Sequence, residues 1–219
     1  MSGLFVVFDP STLLKFHFNW ISMMLGLVFI LGLFWMLPSR NFMMMNFLFN
    51  GLFKEIKSLY VSGFSGSENI LCALFLFIVM SNLLGLFPFI FTATSHLLVT
   101  LLLALSFWFS LMLFGWLKKT VSMLAHLVPL GTPGILMMFM VLIETISNLI
   151  RPITLSVRLA ANMIAGHLLI VLLGSAINFN IFLLLSGLSL ILLLLLELSV
   201  AVIQSYVFMV LVGLYSSEI

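Results

Sequence analysis

The chain has 219 residues, 64% hydrophobic and only 6% charged, with eight Lys and Arg against six Asp and Glu. Water-soluble domains carry about a quarter charged residues, so this chain has too few to coat a soluble surface. That excludes a soluble enzyme, a nucleic-acid binder and a disordered chain, and leaves a polytopic membrane protein. The single cysteine, Cys72, permits no internal disulfide and no cysteine-built metal cage.

At the N-terminus, Asp9 and Pro10 interrupt the first apolar run and no small-residue cleavage site follows it. No cleaved signal peptide is therefore expected. A membrane-crossing helix needs about 20 apolar residues. Residues 18–37 supply the first such run, closed by Pro38 and Arg40. Residues 41–62 differ: Phe and Met alternate with Asn46, Asn50, Lys54, Glu55 and Lys57, the pattern of an amphipathic helix lying in the interface. Gly63 to Ser67 then reads as a short loop. Residues 70–91 and 97–117 give two more spans, the second stopped by Lys118 and Lys119.

Charge placement orients the chain. Arg40, Lys54 and Lys57 follow the first span and Lys118 and Lys119 follow the third, so all five fall on one side, against Lys15 alone on the other. The positive-inside rule puts these loops inside and the N-terminus outside.

The last third is longer than ordinary spans allow. From Pro133 to Asn178 the chain is apolar and helix-compatible, broken only around Ser147-Asn148 and Arg151-Pro152. As helix this is about 65 Å, twice a ~30 Å hydrocarbon core, and residues 181–214 would add about 50 Å. Two arrangements fit: two spans with almost no loop, or one long, strongly tilted helix in each run. Hydropathy does not choose between them.

This third also holds every ionisable group set within apolar helix: Glu144, Arg151, Arg158, His167 and Glu197. Their polar companions are Asn148, Asn162, Gln204 and Tyr206. Charge at mid-bilayer costs about 2.5–3.5 kcal/mol on insertion scales, which makes such residues functional suspects. At about 100° per residue, Glu144, Arg151 and Arg158 share one helical stripe, with Asn162 one turn beyond. His167 falls on roughly the opposite face. Glu197 and Gln204 share a stripe on the second run, and a hairpin about Asn178 brings His167 and Glu197 near one another. Glu and His titrate when burial shifts them, whereas Arg stays charged, so the set describes a proton path interrupted by a fixed cation.

Several of these residues also have plainer readings. Arg151, next to Pro152, fits an interfacial or kink-capping arginine, Glu144 fits its counter-charge, and His167 fits a satisfied packing histidine equally well. His17, His96 and His126 sit near span ends and read as interfacial. The four histidines lack the spacing of a metal site, and no metal or cofactor is expected.

At these residues the chain resembles a known family. The segments His126-Leu-Val-Pro-Leu-Gly-Thr-Pro133, Ile143-Glu-Thr-Ile-Ser-Asn148, Val157-Arg-Leu-Ala-Ala-Asn-Met-Ile-Ala-Gly-His167 and Ile203-Gln-Ser-Tyr-Val-Phe208 are similar to those of subunit a of mitochondrial F-type ATP synthases. The resemblance implies an all-α polytopic membrane protein in one membrane domain. It would have a transmembrane helix at 18–37, an interfacial helix at 41–62, transmembrane helices at 70–91 and 97–117, and two long tilted helices at 134–177 and 181–215 forming a hairpin. It implies a proton-translocating stator subunit with no nucleotide site of its own. The implied partners are a c-subunit ring, the peripheral stalk, other F0 membrane subunits and the bilayer, without nucleic acid. The implied location is the mitochondrial inner membrane, N-terminus in the intermembrane space and C-terminus toward the matrix.

Residue by residue, the family's essential arginine corresponds to Arg158 and its neighbouring asparagine to Asn162. His167 and Glu197 correspond to the outer half-channel pair, Gln204 to the glutamine facing the arginine, and Glu144 to an acidic position of the inner half-channel. Glu218, Tyr206 and Asn148 are looser correspondences. The competing class is an ion-coupled secondary transporter, which would show paired repeats with broken helices in both halves; here the charged groups occupy one end of the chain.

Overall fold

The computed structural model describes residues 7–11, 17–30, 40–59, 67–87, 90–128, 133–176 and 183–218. These form α1 (Ile21–Ile30), α2 (Arg40–Leu59), α3 (Ser67–Gly85), α4 (Leu97–Lys118), α5 (Thr120–His126), α6 (Gly134–Ala176) and α7 (Leu183–Glu218). Short 3-10 turns at Phe18–Trp20 and Ala93–Ser95 precede α1 and α4. No strand occurs among the described residues. Helices α3, α4, α6 and α7 are long and apolar enough to cross a membrane. Of the expected first span, residues 31–37 lie outside the described residues, as do Lys15, residues 60–62 and the Asn178 turn.

Two helix limits depart from the sequence reading. The second span was expected to run to residue 91, but α3 ends at Gly85 and the chain turns through Leu86 and Phe87. The physical reason is Pro88, which disfavours helical backbone at the residue before it and donates no hydrogen bond. The seven-residue α5 was not anticipated from hydropathy.

Each long run is a single helix. At 1.5 Å per residue α6 is about 65 Å long and α7 about 54 Å. Helix α6 passes through Pro152, which is buried and cannot donate to the Asn148 carbonyl. Its buried positions Pro152, Leu155, Ser156, Leu159, Ala160 and Met163 recur at three- and four-residue steps, so one face turns inward. The matching stripe of α7 is Glu197, Ala201, Gln204, Ser205, Phe208, Met209 and Val212.

Helix α3 lies centrally. Its Leu71, Leu74, Phe75 and Ile78 join Ala104 of α4, Leu155 and Leu159 of α6, and Phe208 and Met209 of α7 in one apolar core. Helix α2 is pinned to this core by Ile56, which is 1% exposed, while Met43, Met44 and Phe47 stay open. A hydrogen bond from Tyr206 Oη on α7 to Glu55 Oε2 adds a polar tie at 3.2 Å.

Candidate functional site

Helices α6 and α7, with Leu86, line a cavity of about 260 Å³. His167, Glu197, Asn162, Gly166 and Leu86 are among its walls. Glu197 is 8% exposed, and neither carboxylate oxygen has a hydrogen-bond partner among the described residues. It lies directly on Gly166: a Cβ there would come within 2.5 Å of Glu197 Oε1 and 2.8 Å of Cδ. Glycine inside a helix costs about 1 kcal/mol relative to alanine, and here it leaves the room that the carboxylate fills.

The His167 ring lies close to the Gly85 backbone, while its Nε2 is buried without a partner among the described residues. Phe8 meets the ring edge-to-face at 6.5 Å between centroids, which brings the N-terminal segment to the cavity. Next to Phe8, Asp9 is exposed, and the Ser11 backbone N–H, with further help from the Ser11 hydroxyl, holds its carboxyl below the usual range.

Arg158 faces the other way. It is exposed on α6 and has no hydrogen bond or ion pair among the described residues. Around it run Ala161, Asn162 and Ala165, also exposed, so the arginine stands on a shallow face of small side chains. Asn162 Nδ2 donates to Gln204 Oε1 at 3.1 Å, joining α6 to the buried stripe of α7 one turn from Arg158.

A second, larger cavity of about 610 Å³ lies between α4, α5, α6 and α7. Glu144, Asn148 and Arg151 stand opposite Trp108, Trp116, Met123 and Tyr215. Arg151 Nη2 is 3.6 Å from Glu144 Oε1, and its guanidinium lies 4.9 Å from the centre of the Tyr215 ring. Seven residues apart on one stripe, the two charges partly neutralise each other, while Arg158, the next step along, stands apart.

Tyr206 is exposed and turned toward Glu55, away from Gln204. Glu218 ends α7, and its side chain lies outside the described residues, as does that of His126. His17 is exposed. His96, read as interfacial, is half-buried between Trp20 and Phe91, with ring centroids 5.3 and 5.2 Å away. No three His, Cys, Asp or Glu side chains converge among the described residues.

Sequence reasoning missed Gly166, Gly85 and Asn82. The last is 1% exposed on α3 and donates to the Ala201 carbonyl at 3.5 Å, one turn from Glu197. A signal was present for Gly166: a glycine in mid-helix usually has a packing reason.

His167 of α6 and Glu197 of α7 line one cavity, and Arg158 stands exposed on α6 with no ion pair among the described residues; these set the terms for comparison with known proteins. The profile of the family described as "ATP synthase A chain" matches residues 16–217. The chain belongs to that family. It is 54% identical over 222 residues to the ATP synthase subunit a of Drosophila melanogaster, covering all of this chain and 99% of the relative. It is also 54% identical over 220 residues to that of Artemia franciscana, with both chains covered in full. The subunit a of Locusta migratoria is 52% identical over 226 residues. Membership makes this a proton-transporting membrane subunit of the F0 sector of an ATP synthase, not a catalytic one.

Proposed function

We propose that the chain provides two offset half-channels for protons beside a ring of c subunits, with Arg158 between them. One observation carries this reading: Arg158 is exposed in the middle of an apolar helix, without an ion pair among the described residues, on a face of small side chains. An arginine facing lipid there would be costly. A carboxylate arriving from another subunit relieves that cost, and Ala161 and Ala165 let a partner helix come close.

A proton enters from the intermembrane space, passes His167 and Glu197, and neutralises a ring carboxylate. The neutral site travels through lipid and returns to the inner route near Glu144, where the Arg158 charge favours the ionised acid and drives proton release. Arg158 cannot itself carry the proton, so it also blocks a direct leak. The Asn162–Gln204 hydrogen bond holds α6 and α7 in register beside it. Glu218, Tyr206 and Asn148 border the route without a chemical step assigned to them.

The lengths of α6 and α7 fit this task. At about 65 Å and 54 Å against a ~30 Å core, both helices lie strongly tilted and follow the curve of a ring. The chain sits in the mitochondrial inner membrane, N-terminus in the intermembrane space and C-terminus toward the matrix, and it contacts the peripheral stalk and other F0 subunits as well as the ring.

ATP-driven proton pumping in membranes whose only copy of this chain carries Arg158→Ala tests the mechanism, with subunit content as the assembly control. Pumping is expected to vanish while the complex stays intact. Normal pumping would overturn the assignment of Arg158.

A further inference from the structure

Six buried side-chain oxygens and nitrogens lack a hydrogen-bond partner among the described residues. They belong to Glu197, His167, Asn82, Thr94 and His96. The first three surround or adjoin the Glu197 cavity. The other two lie in the linker between α3 and α4, a segment the proposed mechanism does not use.

That linker is unusually polar for its depth. Thr92, Thr94 and Ser95 are 1%, 1% and 4% exposed. Thr92 Oγ1 donates to Ser95 Oγ at 3.0 Å, and Ser95 Oγ donates to the Thr92 carbonyl at 2.7 Å. Thr94 Oγ1 and His96 Nε2 are left over. Unsatisfied buried polar groups destabilise a fold, and a packing segment would place apolar residues here.

The linker also touches the candidate site. A Cβ on Gly85 would come within 2.9 Å of Thr92 Cγ2 and 3.4 Å of Met163 Cε, and the Gly85 backbone lies close to His167. On its far side Ser22 Oγ donates to the Phe91 carbonyl at 2.9 Å, and Trp20 packs on His96. The linker therefore packs between the N-terminal segment, at Trp20 and Ser22, and Gly85, which adjoins His167.

We propose that the α3–α4 linker is the outer mouth of the proton route, with His96 as a titratable relay and Thr94 as its hydrogen-bonding partner through water. This rests on the reading that His167 and Glu197 take up protons from the outer side. His96 takes a proton on one ring nitrogen and releases the proton from the other, so the ring returns to neutral after each transfer. The titratable or charged groups around it are Asp9 and His17 in the N-terminal segment and His167 on α6; α3 and α4 bring none to this end among the described residues. Asp9, anionic beside Phe8, favours protons at the mouth.

The test is ATP synthesis by the intact complex, driven by an imposed potential at fixed inner pH and varied outer pH. Chains carrying His96→Gln, Thr94→Val and Thr94→Ser are compared with the unsubstituted chain and with Arg158→Ala, and subunit content reports assembly. His96→Gln is expected to slow synthesis several-fold and to remove one inflection from the dependence on outer pH. Thr94→Val, which keeps the shape but loses the hydroxyl, is expected to slow it several-fold, and Thr94→Ser to restore it. An unchanged rate and profile in His96→Gln overturns the proposal. So does a normal Thr94→Val beside an impaired Thr94→Ser, which would mark the linker as packing. Normal linker variants beside an inactive Arg158→Ala overturn the entry route alone, whereas synthesis surviving Arg158→Ala overturns the underlying reading.

Discussion

Arg151 and Arg158 are the same side chain seven residues apart, yet they stand in different chemistry. Arg151 has a carboxylate at 3.6 Å and an aromatic ring beneath it, so its charge is partly answered inside the chain. Arg151→Gln is therefore expected to reduce ATP-driven pumping only mildly; loss as complete as that of Arg158→Ala would show that the two roles are misassigned. Glu197 depends on a neighbour with no side chain at all. Gly166→Ala forces the carboxylate out of its seat, and overpacking of this kind costs about 1–3 kcal/mol. The expected result is an assembled complex whose pumping falls several-fold; unchanged pumping would mean that Glu197 works in another rotamer. Exchanging His167 and Glu197 together is expected to retain more pumping than either single replacement, because the pair lines one cavity. Equal loss in all three would separate the two residues.

Among the elements, α2 shows how far an amphipathic pattern carries. Its alternation of Phe and Met with Lys, Glu and Asn indicated an interfacial helix, but not which residue anchors it. Ile56 does, at 1% exposure against α3 and α7. Ile56→Ala is expected to cost about 2–4 kcal/mol and to speed amide hydrogen exchange along α2. Glu55→Gln, which weakens only an exposed hydrogen bond, should leave exchange nearly unchanged, and equal effects of the two would place the anchor in the Tyr206 tie. The turn after α3 was legible only in part. Pro88 announces a break, but nothing in the linear order indicates that Thr92 to His96 fold back against α6 beside Gly85.

For the whole molecule, the decisive quantity is helix length against bilayer thickness. If α6 is one tilted helix, nitroxide labels at Met138, Ile146, Ile153, Ala165 and Leu172 should show depth changing in one direction along the chain, by well under 1.5 Å per residue. Depth that rises and then falls would instead indicate two spans joined by a turn, and would remove the tilted hairpin. All five positions are exposed within the chain.

Composition alone made this a membrane protein, because six charged residues in every hundred cannot coat a soluble surface. The 3.6-residue period alone placed Glu144, Arg151 and Arg158 on one stripe and His167 opposite Arg158, since those relations lie within one helix. The linear sequence could not say whether each long run was one helix or two, because apolar residues satisfy both. Nor could it find the contacts between helices: Glu197 on Gly166, Asn162 with Gln204, Asn82 at Ala201, or the buried linker next to His167. Those follow from how α3, α6 and α7 pack in space, where residues more than a hundred positions apart come within a hydrogen bond.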